Sequence, residues 1–415
     1  MHYKYSCFNC KKEYSATEIE KENFYLCPNC GSANKNEPLN GVLKVDYDFD
    51  FLKSKLTRND FLNCEPGAFW DYPLLWPLDS ASFEKKSQLE KLRLSNNPVQ
   101  KYQLNNKDIL IFDDTRNPTF SYKDRATSLV AMKALELGIS QITMASTGNA
   151  GSSLAGICAR LGLQSHIFVP KNIPQAKRLQ IQSYGAQIYL VDGDYDAAFD
   201  LNLEVTQNKG WYSRNTAYNP LTIEGKKSGA FDIFLALKGN LPDFIFIPAG
   251  DGVILSGIYK GFEDLKNLGW IEKIPQLVAV QADGSDALVR FIENGKFNYK
   301  PASTMADSIH AGAPRNLFMA ASAIKESGGK ALRVSDKAIS EAQKIAAQQL
   351  GILIEPAAAA SLAGLLKLTG DEYIREKKCM LLFTGNGLKD VQSLQNWNLN
   401  PEAKPTLEWK KILMG

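Results

Sequence analysis

Residues 117–125 read Asn117-Pro118-Thr119-Phe120-Ser121-Tyr122-Lys123-Asp124-Arg125, which places a lysine just after a turn and at the start of a helical pattern. The helix is predicted over 124–137 and stops at Gly138, because glycine is a usual stop signal. Asp124 in the first turn suits the helix dipole. The apolar face consists of Leu129, Met132, Leu135 and Leu137. A lysine held at such a position can have a lowered pKa and act as a nucleophile or base, although a lone lysine is usually an ordinary solvated side chain.

Short apolar runs alternate with helical patterns on both sides of this stretch. Apolar runs without polar alternation, separated by helices, indicate parallel strands that are buried on both faces. The sequence therefore predicts an α/β fold with two doubly wound lobes of parallel or mixed sheet and a ligand between them. The predicted strands are Ile109–Phe112, Gln141–Ala145, Ser165–Pro170, Gln187–Val191, Phe244–Pro248, Leu277–Gln281 and Met380–Phe383. The later predicted helices are 150–161, 175–184, about 195–207, about 223–238, 335–350 and 356–369.

Composition limits the classes of function. The 415 residues are 44% hydrophobic and 22% charged, which is typical of a globular protein with more than one domain. A net charge of +3 is too small to favour a nucleic-acid partner. No apolar run approaches the roughly 20 residues that a membrane span needs. The first residues lack the apolar core of a signal peptide, so we expect a cytoplasmic protein. We also expect its partner to be a small-molecule substrate.

Four of the seven cysteines lie in the first thirty residues, in two Cys-x-x-Cys pairs. Four thiolates in such pairs can close a tetrahedral zinc site, and a segment of this size has little other core. We therefore predict a structural zinc ribbon; a ribbon that has lost its zinc and a pair of redox thiols are the alternatives. The predicted ligands are Cys7, Cys10, Cys27 and Cys30.

Three polar, glycine-containing turns follow predicted strands, at the edge where open α/β sheets bind ligands. The turn at 146–152 reads Ser-Thr-Gly-Asn-Ala-Gly-Ser and opens a helix, so its N–H and hydroxyl groups can hold a carboxylate or phosphate. The turn at 250–257 reads Gly-Asp-Gly-Val-Ile-Leu-Ser-Gly and suits a phosphate. The turn at 384–390 places the hydroxyl of Thr384 at a strand end. Each turn alone is weak support, but together with Lys123 they are more specific.

The cofactor follows from this combination. None of the turns is the G-x-G-x-x-G of a dinucleotide site followed by an acid, and no G-x-x-x-x-G-K-[ST] motif occurs. A lysine, a phosphate cradle and a second anion cradle match pyridoxal phosphate (PLP) better, because lysine bonds the cofactor while the turns hold its phosphate and the substrate carboxylate.

Several motifs resemble those of the threonine synthases, which are PLP enzymes of the tryptophan-synthase-β-like group, fold type II. The segment 118–125 is similar to that family's P-T-x-S-F-K-D-R, and 146–149 is similar to its asparagine loop. The segments 219–226, 350–356 and 384–390 also fit. The resemblance implies a zinc-ribbon-like segment over 1–34, a large PLP-binding lobe with an N-terminal arm over 35–125 and 220–415, and a small inserted lobe over 126–219. It also implies a homo-oligomer, which we expect to be a dimer.

The resemblance assigns roles residue by residue. Lys123 would bond the cofactor and shuttle protons, and Asn149 would contact the ring hydroxyl. Thr384 would face the ring nitrogen, where a hydroxyl stabilises a protonated nitrogen less than a carboxylate would. The loop around the cofactor phosphate would be Gly250, Asp251, Gly252, Val253 and Ile254. The substrate would contact Ser146, Thr147, Gly148 and Asn149, with Lys177 and Lys226 as further anion partners.

Some positions depart from the family pattern. Thr222 stands where the family often has arginine, and Ala126 follows Arg125 where glycine is usual. Ser308-Ile309-His310-Ala311-Gly312 replaces the usual A-I-R-I-G. The cofactor residues are therefore better matched than those for a substrate phosphate.

The resemblance implies conversion of O-phospho-L-homoserine and water to L-threonine and phosphate, by a carbon–oxygen lyase. The alternatives are a PLP enzyme of β-replacement, a deaminase of threonine or serine, or a non-catalytic binding protein.

Overall fold

The computed structural model describes residues 2–397 except 147, 172, 174 and 194. The strands, in chain order, are β1 (Tyr3–Cys7), β2 (Glu13–Ser15), β3 (Leu43–Tyr47), β4 (Val99–Leu104), β5 (Lys107–Asp113), β6 (Gln141–Ala145), β7 (Gln164–Pro170), β8 (Gln187–Val191), β9 (Tyr212–Ser213), β10 (Phe244–Pro248), β11 (Gln276–Ala282), β12 (Lys330–Val334) and β13 (Cys379–Phe383).

The helices, in chain order, are α1 (Ala16–Lys21), α2 (Phe49–Lys55), α3 (Arg58–Leu62), α4 (Lys86–Lys91), α5 (Lys123–Glu136), α6 (Asn149–Leu161), α7 (Gln175–Ser183), α8 (Tyr195–Lys209), α9 (Leu221–Lys226), α10 (Ser228–Ala236), α11 (Val253–Asn267), α12 (Ala287–Asn294), α13 (Leu317–Glu326), α14 (Asp336–Gln349), α15 (Pro356–Lys367) and α16 (Val391–Gln395). None of these helices is both long enough and apolar enough to cross a membrane.

Two sheets carry the α/β architecture that the sequence predicts. The larger sheet has the order β12-β11-β10-β13-β5-β4, and all of its neighbours are parallel except the antiparallel pair β4 and β5. The smaller sheet has the order β8-β7-β6-β9 and is parallel throughout. Every residue of β10 and β13 is buried, as expected for apolar strands that helices cover on both faces. The predicted α/β class is confirmed.

A third, antiparallel sheet is formed by β2, β1 and β3 at the N-terminal end of the chain. Its last strand lies beyond residue 34, so the sheet that includes Cys7 continues past the predicted end of the ribbon-like segment. The strands of the smaller parallel sheet all lie between 141 and 213. The division of the chain at 34, 125 and 219 remains a prediction.

The predicted helix over 223–238 is divided in the structure into α9 and α10. Tyr122 causes the break, because its hydroxyl donates to the carbonyl of Lys226 at 2.8 Å. The N–H of Ala230 would ordinarily bond that carbonyl, and it bonds the carbonyl of Lys227 at 2.9 Å instead. This contact also fixes the turn before Lys123 against the helix that carries Lys226.

Candidate active site

A cavity of about 350 Å³ lies at the carboxyl ends of β6, β10 and β13. Open α/β sheets bind ligands at this edge. The three predicted turns and the predicted lysine meet here, although they are far apart in the chain. The predicted site residues that line it are Lys123, Ser146, Gly148, Asn149, Lys226, Gly250, Asp251, Gly252, Val253, Ile254 and Thr384. Thr147 lies outside the described residues.

Lys123 is half-buried at the first residue of α5 and faces the cavity. Burial lowers the pKa of its amine, the negative charge of Glu355 opposes that shift, and the positive charge of Arg214 adds to it. No carboxylate forms an ion pair with Lys123 among the described residues. An amine in this setting is more readily neutral than an exposed lysine, as a nucleophile or proton acceptor must be.

Lys226 is only 1% exposed and also lines the cavity. Burial lowers its pKa well below the ordinary lysine value, and the positive charges of Lys123 and Arg214 lower it further. Asp251 opposes the shift, yet Lys226 makes no ion pair within the described part of the chain. A buried lysine without an acidic partner is more readily neutral, and an anionic ligand would stabilise its charged form, so the position is suited to a ligand that brings negative charge.

The turn before α11 has the shape of an anion cradle. Gly252 caps the helix with φ +81° and no side-chain hydrogen bond. A Cβ on Gly252 would lie 2.6 Å from the Cβ of Ala320, and one on Gly250 would lie 2.8 Å from the Cα of Ile309. Only glycine fits these two positions without a shift of the neighbours. The first N–H groups of α11 are thus left for a ligand, as a phosphate-bearing cofactor requires.

Asn149, at the start of α6, is held by a buried carboxylate. Its Nδ2 donates to both oxygens of Glu355 at 2.8 Å and to Ser308 Oγ at 3.0 Å. Burial raises the pKa of Glu355, and the hydrogen bond from Asn149 opposes that rise. Glu355 lies so close to Gly385 that a Cβ there would overlap its Oε1. The amide of Asn149 therefore has one fixed orientation at the cavity wall.

Two further contacts shape the remaining walls. The carbonyl of Thr384 accepts from the N–H of Tyr122 at 2.9 Å, which joins the end of β13 to the turn before α5. Ser146 Oγ accepts from the N–H groups of Gly148 at 3.3 Å and Gly151 at 3.1 Å. These bonds hold the side chain of Ser146 against the start of α6.

Lys177 is the described candidate residue that does not line this cavity. It forms an ion pair with Asp307 and lies at a smaller cleft, which shares Gly148 and Asn149 with the main cavity. An exposed carboxylate on the opposite segment therefore holds its amine at the rim. Its role toward a substrate remains a prediction.

The roles of three charged residues at the site were not predicted from sequence. Arg315 lines the cavity, and Arg214 lies behind it, where Arg214 Nη1 donates to Thr216 Oγ1 at 3.2 Å. Glu355 belongs to the segment 350–356 that resembles the family, so its motif could have indicated it. Nothing in the local sequence marks the two arginines, because long-range packing brings them to the site.

The structure brings the four N-terminal cysteines together, as the prediction of a metal site requires. Their sulfur atoms all lie within 4.8 Å of one another, with 3.4 Å between those of Cys7 and Cys30 and 3.6 Å between those of Cys10 and Cys27. Zinc–sulfur bonds of about 2.3 Å at tetrahedral angles require sulfur separations only slightly longer than these two. The four thiols thus fit a zinc ion, and a closed set of four ligands leaves no position for catalysis.

Comparison with known proteins agrees with this arrangement. Residues 90–385 match the family described as "Pyridoxal-phosphate dependent enzyme". The chain is 34% identical to the threonine synthase of Methanocaldococcus jannaschii over 92% of each chain. It is 33% identical to that of Methanosarcina acetivorans, over 94% of this chain and 93% of the relative.

Solved structures share the fold at lower identity. A maize serine racemase has a TM-score of 0.65 at 19% identity, covering 77% of this chain and 97% of its own. A serine racemase from Dictyostelium discoideum has a TM-score of 0.60 at 21% identity, covering 74% of this chain and 96% of its own. With a lysine, an asparagine and a glycine cradle gathered at one cavity, the chain belongs to the family of pyridoxal-phosphate dependent enzymes, among homologues that are threonine synthases.

Proposed function

We propose that the protein is a threonine synthase, which converts O-phospho-L-homoserine and water to L-threonine and phosphate. The observation that carries the proposal is Lys226, a buried amine beside Lys123 in the cavity that has no acidic ion-pair partner among the described residues. A phosphorylated amino acid carries more negative charge than threonine or serine. A site that binds it therefore needs more positively charged groups. The threonine synthases that match over more than nine-tenths of this chain support the same reaction.

The residues of the cavity fit the family's cofactor. Gly250, Gly252 and the first residues of α11 would hold its phosphate through N–H groups, with Asp251 shaping the loop. Asn149 would meet the ring hydroxyl and Thr384 the ring nitrogen. When bound, pyridoxal phosphate withdraws electrons from an amino acid joined to it, so that the C–H bonds of that amino acid become acidic.

Lys123 is the group that would move protons. With its pKa lowered by burial, the Nζ atom can take the proton from the substrate Cα and return it to the same carbon. One proton is also lost from Cβ, the carbon–oxygen bond at Cγ breaks, and phosphate leaves with the bridging oxygen. Water supplies the hydroxyl group at Cβ, and Cγ gains a proton to become the methyl group of threonine.

Anion recognition would be divided between two walls. The turn with Ser146, Thr147 and Gly148 would bind the substrate carboxylate through N–H and hydroxyl groups. Lys226, and Lys177 at the rim, would bind the substrate phosphate. Lys177 would have to exchange its bond to Asp307 for one to the ligand.

A deaminase or β-replacement enzyme is the second candidate, and Thr222 favours it. This residue replaces the arginine that the family often has, and it is fully buried. Its Oγ1 accepts from the N–H of Ala217 at 3.0 Å and donates to the carbonyl of Asn219 at 2.7 Å. Thr222 thus closes a turn and supplies no charge to the cavity.

Two assays of the holoenzyme separate the candidates. Phosphate release from O-phospho-L-homoserine, with threonine as the product, is expected for a threonine synthase. Ammonia release from L-threonine or L-serine without phosphate release from phosphohomoserine would instead identify a deaminase. The Lys226→Met variant should raise the KM for phosphohomoserine more than it lowers kcat, since Lys226 is assigned to binding.

A further inference from the structure

The N-terminal ribbon packs against the cofactor's phosphate cradle. We define the ribbon as residues 2–47, which contain β1–β3 and the four cysteines. Leu39 and Val42 of the ribbon share a buried apolar cluster with Val253, the first residue of α11, and with Ile223 and Met319. The ribbon therefore touches the helix whose first N–H groups form the cradle.

Hydrogen bonds join the cysteines to this contact. Asn40 Nδ2 donates to the carbonyl of Cys30 at 2.8 Å, and the N–H of Asn40 donates to the carbonyl of Ser32 at 3.0 Å. The next residue toward the N-terminus, Leu39, donates its N–H to the carbonyl of Arg315 at 3.1 Å. Residues 30–40 thus form a short connection, held by hydrogen bonds, from Cys30 to Arg315 at the cavity.

Arg315 carries the connection into the cradle. Its Nη1 donates to the carbonyls of Glu37 at 3.2 Å and Asn34 at 3.4 Å in the ribbon. Its backbone N–H donates to Asp251 Oδ1 at 3.0 Å. The N–H of the next residue, Asn316, bonds the backbone carbonyl of Asp251 at 3.0 Å. Asp251 lies between Gly250 and Gly252, so the segment that the ribbon bonds in turn holds the residue between the two glycines of the cradle.

We propose that the metal-bound ribbon is a positioning element for the cofactor phosphate. The metal holds Cys30 and the 31–40 connection in place, the connection holds the 315–316 segment, and that segment holds Asp251 in the turn. Loss of the metal loosens these contacts and leaves the cradle less organised, which weakens binding of the phosphate group in particular. The proposal rests on the family's cofactor and the predicted zinc site, and it is independent of which amino acid is the substrate.

The test compares pyridoxal phosphate with pyridoxal, which lacks the phosphate group. Cofactor-free full-length protein is prepared with zinc, after zinc removal by a chelator, and as the Cys10→Ser variant, and zinc content is measured in each. We expect zinc-depleted protein to bind pyridoxal phosphate about 2- to 30-fold more weakly, the range typical of coupling through a packed network. The affinity for pyridoxal should change little, because the change is at the phosphate.

A second pair of variants separates positioning from general loss of folding. Leu39→Ala removes part of the apolar cluster that includes Val253 and leaves all four cysteines in place. This variant should therefore keep zinc but bind pyridoxal phosphate more weakly. Ile19→Ala is the matched control, since Ile19 is a buried ribbon residue of a different apolar cluster. It should keep both zinc and cofactor affinity.

Three results would overturn the proposal. The first is zinc-free protein, whether depleted or isolated without metal, that binds pyridoxal phosphate with full affinity. The second is an equal loss of affinity for pyridoxal and pyridoxal phosphate. The third is an equal effect of Leu39→Ala and Ile19→Ala. None of these measurements involves threonine formation, so they stand apart from the test of the proposed reaction.

Discussion

Lys226 and Lys227 are neighbours in the chain and both are buried, but they face different parts of the molecule. Lys227 forms ion pairs with Glu224 and, at 2.9 Å, with Asp264 in the packed interior. Lys226 faces the cavity and makes no ion pair within the described residues. A buried lysine with carboxylates is part of the scaffold, whereas a buried lysine without them is arranged for a ligand that brings its own negative charge.

The same contrast separates Lys123 from Arg125 on α5. Arg125 is fully buried, and its Nη1 donates to Asp232 at 2.7 Å while its Nη2 donates to Asp114 at 2.8 Å. Lys123, two residues earlier, has a lowered pKa and no ion pair in the described structure. Lys123 and Lys226 thus face the cavity without an ion pair in the described structure, whereas Arg125 and Lys227 are paired with buried carboxylates.

The largest expected effect is that of replacing Lys123 on the cavity side. Lys123→Ala removes the amine that we propose both bonds the cofactor and transfers protons, so kcat should fall by at least about 1,000-fold. Phosphate release and the visible absorbance of the bound cofactor measure this directly. Retained turnover together with retained cofactor absorbance would show that another residue has the role.

Replacing each of the two neighbouring lysines by methionine tests whether they contribute differently to stability. Lys227→Met leaves Glu224 and Asp264 with less compensation and should lower the free energy of unfolding by about 3–5 kcal/mol. Lys226→Met should leave the stability of the cofactor-free protein unchanged or raised, because a buried amine with no ion pair among the described residues is removed. Urea unfolding at pH 7 measures both. Equal destabilisation by the two variants would mean that Lys226 is also structural.

Glycine substitutions test how closely the cavity wall is packed. Gly252→Ala introduces a Cβ at φ +81° and 2.6 Å from Ala320, which should cost roughly 1–3 kcal/mol of cofactor binding or stability. Gly148→Ala is the control, since its Cβ would lie 3.6 Å from Asp307 Oδ2, an ordinary contact. Cofactor titration of both variants should show a clear loss for the first alone.

The smallest expected effect is a difference in pH dependence. The pKa of Lys226 in the folded protein lies well below its ordinary value of 10.5, so the unfolded chain binds more protons between those two values. The stability of the cofactor-free protein should therefore rise as the pH is raised toward 10.5, and the cost of Lys226 should return as the pH falls. The difference in unfolding free energy between wild type and Lys226→Met should shrink as the pH rises through the same window. A constant difference would mean that Lys226 does not titrate there.

Sequence alone predicted the features that depend on local pattern. The buried strands, the helix that begins at Lys123 and the four cysteines are visible in short segments, and the family and cofactor followed from motifs around them. Strand β12 was missed, because Lys330 and Arg333 interrupt its apolar pattern at a partly exposed sheet edge. The division of the predicted helix at Lys227 was also missed, since it depends on a hydroxyl more than 100 residues away.

Features that depend on long-range packing could not be predicted. The sequence named Lys226 as an anion partner, but the pairing of Lys227 with Glu224 and Asp264 depends on how the helices pack and could not be predicted. Arg315 carries no motif, yet it joins the ribbon to the cradle. The cytoplasmic location and the dimer remain predictions, which cell fractionation and light scattering can check.

The most direct test of the proposed reaction is turnover of O-phospho-L-homoserine in water enriched in oxygen-18. Elimination breaks the carbon–oxygen bond, so phosphate should leave with substrate oxygen only and threonine should gain one labelled hydroxyl group. Mass spectrometry of both products after a single turnover distinguishes the outcomes. Unlabelled phosphate with singly labelled threonine is the predicted result. Labelled phosphate with homoserine as the product would show phosphorus–oxygen cleavage and contradict the proposed function.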